Sequence, residues 1–205
     1  MSKKDGLLVV ISGPAGSGKG TVIKELMAKD ERFAYSVSAT TRSPRPGETD
    51  GKEYYFISHE EFKERIADGR MLEYAEYCGN YYGTPLDETK KALDEGKFFI
   101  LEIEVQGATQ VKRLFPDAVL MMILPPNFST LEARLRGRGT ETDDVILKRL
   151  ATSRDEVAKL DMFDYVLVNE DGAAADVADT ISMIVNSETH AVKRNADFGK
   201  EFFAN

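Results

Sequence analysis

Apolar residues in this chain fall in short dense runs separated by stretches of mixed polarity. Leu7–Ile11, Phe98–Ile103 and Ala118–Leu124 are largely apolar, and Tyr165–Val168 is a shorter fourth run. Unbroken runs of this length predict strands buried on both faces. Between or after them, the spacing of apolar positions predicts helices over Thr21–Lys29, Glu88–Glu95, Ala108–Leu114, Ser129–Arg136, Asp143–Lys159 and Ala174–Ser187. Strands alternating with helices predict an α/β fold built on a parallel sheet. Residues 36–85 break the rhythm. Two β-like pieces, Tyr54–Ile57 and Met71–Tyr77, flank the helical stretch His59–Ala67, among Pro44, Pro46, Gly47 and Gly51. This segment reads as an inserted α+β subdomain. The polar, glycine-punctuated stretch 137–143 lies between two helices and suits a mobile lid.

The most informative chemistry begins where the first run ends. Gly13-Pro14-Ala15-Gly16-Ser17-Gly18-Lys19-Gly20-Thr21 follows a strand and opens a helix. Glycines let backbone N–H groups turn toward an anion, the helix N-terminus adds partial positive charge, and Lys19 adds a full one. The spacing Gly13-x4-Gly18-Lys19 matches a P-loop and points to a nucleoside triphosphate, but Gly20 stands where Ser or Thr is expected. One helical step turns a side chain by roughly 100°, so Thr21 does not replace a metal-binding hydroxyl at 20. Its hydroxyl or N–H is expected to meet phosphate, with Mg²⁺ held mainly by phosphate oxygens and water. A ligand-free glycine turn is the competing reading, and the four glycines in register with the lysine weigh against it.

Composition narrows the rest. At 205 residues, 42% hydrophobic and 30% charged, the chain supports one sizeable core with a subdomain. No run is long enough to cross a membrane, and Leu7–Ile11 reads as a first strand rather than a signal segment. The single cysteine, Cys78, excludes an internal disulfide and a cysteine-rich metal site; it reads as structural and fits a cytoplasmic protein. A net charge of −8 argues against a broad nucleic-acid surface. Positive charge is instead concentrated at Arg42 and Arg45, and at Arg134, Arg136 and Arg138. No sequence signal fixes an oligomeric state. His59 and His190 read as surface residues, since no metal-ligand spacing surrounds them.

Arg42 and Arg45 lie three apart on a proline-stiffened segment, Ser36 to Glu48. Arginine's planar fork suits a phosphate, and Tyr54 and Tyr82 can add hydroxyl donors. A solvated basic turn and an extended polyproline interaction motif are the alternatives. Glu102 and Glu104 sit two apart at the end of a strand, hence on one face. Ligands of such sheets bind at strand C-terminal ends; the alternative is two carboxylates tipped into solvent.

Taken together, these segments resemble guanylate kinases, the P-loop enzymes that phosphorylate GMP with ATP. The likeness runs from about Leu7 to Ser187 through Gly13–Thr21, Ser38–Glu48, Gly51–Phe56, Gly79–Thr84, Leu101–Gly107 and Arg134 to Arg149. It implies a parallel-sheet core (5–35, 86–136 and 160–187), a GMP-binding subdomain (36–85), a helical lid (137–159) and a tail (188–205) expected to be weakly structured. By the same resemblance, Lys19 and the loop Gly13–Thr21 bind ATP, with Arg134 and Asn169 on the adenine side. Arg42, Arg45, Tyr54 and Tyr82 hold the GMP phosphate. Glu73 reads guanine, whose N1–H and N2–H are adjacent donors, and Ser38 and Thr84 add base contacts. Glu102 lies near the GMP ribose, Glu104 near the Mg²⁺ shell, and Arg138 and Arg149 on the transferring phosphoryl group. Arg136 has no matching role. Two rivals stay open: a kinase for another phosphorylated acceptor, and a non-catalytic module that binds phosphopeptides. Glu73 and Thr84 oppose AMP, and an intact P-loop opposes the module.

Overall fold

A computed structural model describes residues 6–77, 79–137, 139 and 142–203. In chain order the elements are β1 (Leu7–Ser12), α1 (Lys19–Lys29), β2 (Phe33–Tyr35), β3 (Ala39–Thr40), β4 (Tyr55–Phe56), α2 (His59–Ala67), β5 (Met71–Tyr77), β6 (Asn80–Pro85) and α3 (Leu86–Asp94). There follow β7 (Phe98–Glu102), α4 (Val105–Leu114), β8 (Val119–Leu124), α5 (Phe128–Gly137), α6 (Asp143–Val157), β9 (Tyr165–Val168), α7 (Ala174–Thr189) and α8 (Phe198–Phe203).

Among the described residues, one sheet is five-stranded and parallel, in the order β2-β7-β1-β8-β9. Its central strand β1 is buried along its whole length, with Val9 opposite Ile100 and Val119. Alternation then sorts its side chains. Leu7, Val9 and Ile11 pack with Val22, Leu26, Ile181 and Val185 of α1 and α7. Leu8 and Val10 share the other face with Ala108 and Val111 of α4. Each such side chain contributes about 1.5–3 kcal/mol by leaving water. Two clad faces therefore fix β1, and with it the loop that leaves its C-terminal end.

The second sheet is four-stranded among the described residues, in the order β4-β3-β6-β5. It lies against α2, where Phe62 packs with Ala39 and Met71. α2 starts cleanly because the Glu61 N–H donates to Ser58 Oγ at 3.0 Å. β5 slips register between Met71 and Glu73. The slip leaves Met71 beside α2 while Leu72 joins the core cluster of α4. Helices α5 and α6 hold a small cluster of their own, Leu131, Leu135, Ile146 and Leu150, against which Ala15 of the glycine loop rests.

The α/β fold expected from the apolar runs is present. β2, β3 and β6 were not expected: the first two span three and two residues, and β6 is a polar strand containing Gly83. The tail differs from expectation as well. α7 runs to Thr189, a short helical turn covers Val192–Arg194, and α8 follows. Arg194 donates to Asp117 O and pairs with Glu188, which also accepts from the Tyr165 hydroxyl at 2.8 Å. Those contacts tie the start of the tail to the core. Arg138 and Cys78 lie outside the described residues. Among the described residues no helix is long and apolar enough to cross a membrane.

Candidate active site

The glycine loop bridges β1 and α1 in a conformation its sequence dictates. Gly13, Gly16 and Gly18 have φ of 142°, 93° and 89°, a region that side chains disfavour. A Cβ on Gly18 would also lie 2.3 Å from Asn169 Nδ2. Gly20 is different, because a Cβ there would meet nothing within 4 Å. Its departure from the P-loop pattern therefore answers no packing demand. Gly18→Ala is expected to lower the melting temperature, whereas Gly20→Ser should leave it unchanged or raise it, gaining up to about 0.5–1 kcal/mol over helical glycine. Thermal unfolding of the two variants side by side checks this.

Lys19 folds back over the loop, its Nζ donating to Gly13 O at 2.5 Å and Pro14 O at 3.2 Å. Asn169 and Arg134 buttress the opposite side. The Asn169 amide donates to Ser17 O at 2.8 Å, leaving its buried Oδ1 without a hydrogen-bond partner. Arg134 donates to Asn169 O at 2.9 Å and pairs with Asp171 at 2.6 Å.

A cleft of about 530 Å³ opens in front of the loop. Lys19 and Ala15 line it from the loop, Ser38 and Tyr54 from the second-sheet side, Glu102 from the end of β7, Glu104 from the N-cap of α4 rather than from the strand as expected, and Arg149 and Glu156 from α6. The Tyr35 hydroxyl, at the end of β2, donates to Glu102 Oε2 at 3.0 Å. Burial and then the Glu102 charge hold that phenol protonated, its pKa far above the usual value. Burial also raises the Glu156 carboxyl, against the pull of Lys19.

Arg42 and Tyr82 do not line this cleft; they adjoin it through Tyr54. The rings of Tyr54 and Tyr82 meet edge-on at 6.1 Å, and the Arg42 guanidinium lies 5.4 Å from the Tyr54 ring centre. Arg42 donates in parallel to Glu48 at 2.9 and 3.0 Å. The Arg45 N–H donates to the same carboxylate at 2.7 Å. Both donors hold the Glu48 pKa below the usual carboxylate range. The Arg45 side chain is exposed.

Glu73 is buried, 5% exposed, in register with Thr84 across β5 and β6. The Thr84 hydroxyl donates to Glu73 Oε1 at 2.8 Å. Burial pushes the Glu73 pKa up to about 7, the Thr84 donors oppose it, and the nearby Glu104 charge adds to it. A buried carboxyl with one hydroxyl on it retains acceptor capacity for a ligand's paired N–H groups.

The guanylate kinase family model matches residues 5–184. The chain belongs to the guanylate kinase family. It is 52% identical over 190 residues to a guanylate kinase of Streptococcus thermophilus, covering 92% of this chain and 90% of that protein. It is 50% identical over 202 residues to the guanylate kinase of Bacillus anthracis, covering 98% of each. The crystal structure of guanylate kinase from Anaplasma phagocytophilum superposes with a TM-score of 0.74 at 33% identity, covering 95% of this chain and 92% of that one. The family transfers a phosphoryl group from ATP to GMP, giving GDP, and generally works with Mg²⁺.

Some residues in and beside this cleft carry no signal in the sequence. Tyr35 ends a three-residue strand too short to announce itself. Glu48 meets Arg42 six positions away through a turn, a spacing that belongs to neither helix nor strand. Glu156 lies on α6, where the pattern read only as helix. His59 is engaged within the second-sheet region: its Nε2 lies 3.2 Å from Thr41 Oγ1 and 3.1 Å from Gly79 O.

Proposed function

We propose that this cleft brings ATP and GMP end to end, with the glycine loop as the donor half and residues 36–85 as the acceptor half. The observation that carries this is the shared lining: Lys19 and Arg149 face Ser38, Tyr54 and Glu102 across one space. Lys19 bridges ATP phosphate oxygens as it bridges the carbonyls of its own loop. Asn169 and Arg134 support the adenine side. Arg42, Arg45, Tyr54 and Tyr82 hold the GMP phosphate; Glu73, Ser38 and Thr84 hold the base; Glu102 accepts from the ribose.

Phosphoryl transfer asks mainly for alignment and positive charge, because the acceptor phosphate oxygen is already nucleophilic. Arg149 supplies charge from α6, and Arg138 does so by family likeness. Residues 137–159 act as a lid whose closure excludes water. Mg²⁺, when bound with ATP, neutralises charge on the phosphate oxygens. Glu102 and Glu104 line the cleft as acceptors for its water shell. Among the described residues no group of three or more His, Cys, Asp or Glu is placed to hold an ion.

Purified protein is expected to form ADP from ATP only when GMP is present, read in a coupled assay. ADP formation indifferent to GMP would overturn the proposal. The base site adds a pH signature. Guanine donors require the ionised Glu73, whereas burial keeps the carboxyl of the free protein protonated up to about pH 7. GMP affinity should therefore rise with pH, about fivefold from pH 6 to 7 and about twofold more to pH 8. The phosphate of GMP itself titrates near pH 6. Calorimetry in buffers of different ionisation heat separates the two, because Glu73→Gln removes only the proton released at the base site.

A further inference from the structure

Gly107 lies in the first turn of α4, buried, with a φ outside the left-handed region. Helical geometry gives it no reason to be glycine, and alanine would favour the helix. Space gives the reason. A Cβ at 107 would lie 2.7 Å from Glu73 Oε2 and 3.3 Å from Glu73 Cδ. One turn along the same helix face, Gln110 meets the next residue of β5: its Nε2 donates to Tyr74 O at 2.9 Å, and its Oε1 accepts from Tyr74 N at 3.3 Å. β5 is an edge strand of the second sheet, and Gln110 stands in for a missing neighbour there.

Glu73 is thus located from two sides. Thr84, on its own sheet, holds Oε1. α4, which belongs to the core, bounds Oε2. We propose that Gly107, supported by Gln110, is a specificity-determining positioning residue: it sets where the Glu73 carboxylate stands and so how sharply the acceptor site distinguishes guanine from hypoxanthine. Hypoxanthine keeps N1–H and lacks the 2-amino donor, so a displaced carboxylate loses the advantage that the second donor gives GMP over IMP. This rests on the reading of Glu73 as the guanine acceptor. The atom an added methyl would strike is the far end of a side chain. The fold can therefore absorb the change while the base site cannot.

Gly107→Ala is expected to fold with an undiminished melting temperature. Its KM for GMP should rise at least tenfold with a smaller change in kcat, and its kcat/KM preference for GMP over IMP should fall at least tenfold. Glu73→Asp, which draws the carboxylate back by one methylene, should weaken that preference in the parent and partly restore it in Gly107→Ala. A purely structural glycine would give no such rescue. Glu73→Ala separates the layers. If it leaves the GMP:IMP preference intact, the base-reading role of Glu73 fails. If it abolishes the preference while Gly107→Ala retains it, the positioning role alone fails. Should Gly107→Ala not fold, Gln110→Ala decides, since wild-type KM and wild-type base preference in that variant would overturn the proposal.

Discussion

Lys19→Ala is expected to lower kcat by about 10²–10³-fold, the range for removing one preorganised donor from a transition state, about 2.7–4 kcal/mol. The lysine is positioned before any ligand arrives, since its ammonium already spans Gly13 O and Pro14 O. ATP therefore finds the charge at the loop centre and need not order a mobile chain. Losing those two internal bonds should cost only about 1–3 kcal/mol of stability. β1 and α1 stay buried on their own apolar contacts, so the variant should be folded and nearly inactive. Steady-state kinetics with a melting curve checks both parts. Retained turnover would remove Lys19 from the transfer step.

Arg42→Ala should act on the acceptor instead, raising the KM for GMP by about 10²–10³-fold, as expected when one member of a close charge pair is removed. The size reflects two losses. The phosphate loses a planar two-point donor, and Glu48 loses the guanidinium that neutralises it. A bare Glu48 carboxylate then repels the incoming phosphate. The double variant Arg42→Ala/Glu48→Gln is consequently expected to bind GMP better than Arg42→Ala alone, which direct GMP titration measures. Equal affinity in the two would mean that Glu48 does not reach the phosphate electrostatically.

The fold was legible because its core is built from runs that alternation and length identify. Leu7–Ile11 and Tyr165–Val168 became strands β1 and β9, and the helical stretches fell within a few residues of their expected ends. The glycine loop was legible for a different reason: positive φ and close approach admit few residues besides glycine, so the backbone is written in the sequence. The acceptor side was harder. Tyr35 with Glu102, and Gly107 with Glu73, are pairs made by sheet order and helix docking across many residues. No local period encodes such pairs. Arg42 drew attention through the arginine pair on its proline-stiffened segment and Glu73 through family likeness, whereas their immediate partners Glu48 and Gly107 emerged only once the chain was folded. The tail erred the other way, since Arg194 anchors a segment whose composition read as loose.

The separate cluster between α5 and α6 is expected to open before the sheet does, which amide hydrogen exchange measures. Leu131, Leu135, Ile146 and Leu150 form an island apart from the sheet, touching the glycine loop through Ala15. Cooperative units held by few apolar groups open at a fraction of the global unfolding free energy. Amide protons of α6 can then exchange with solvent while those of β1 remain protected on both faces. Nucleotide entry and release can draw on that shallow reservoir, while the lifetime of the native state draws on the deep one.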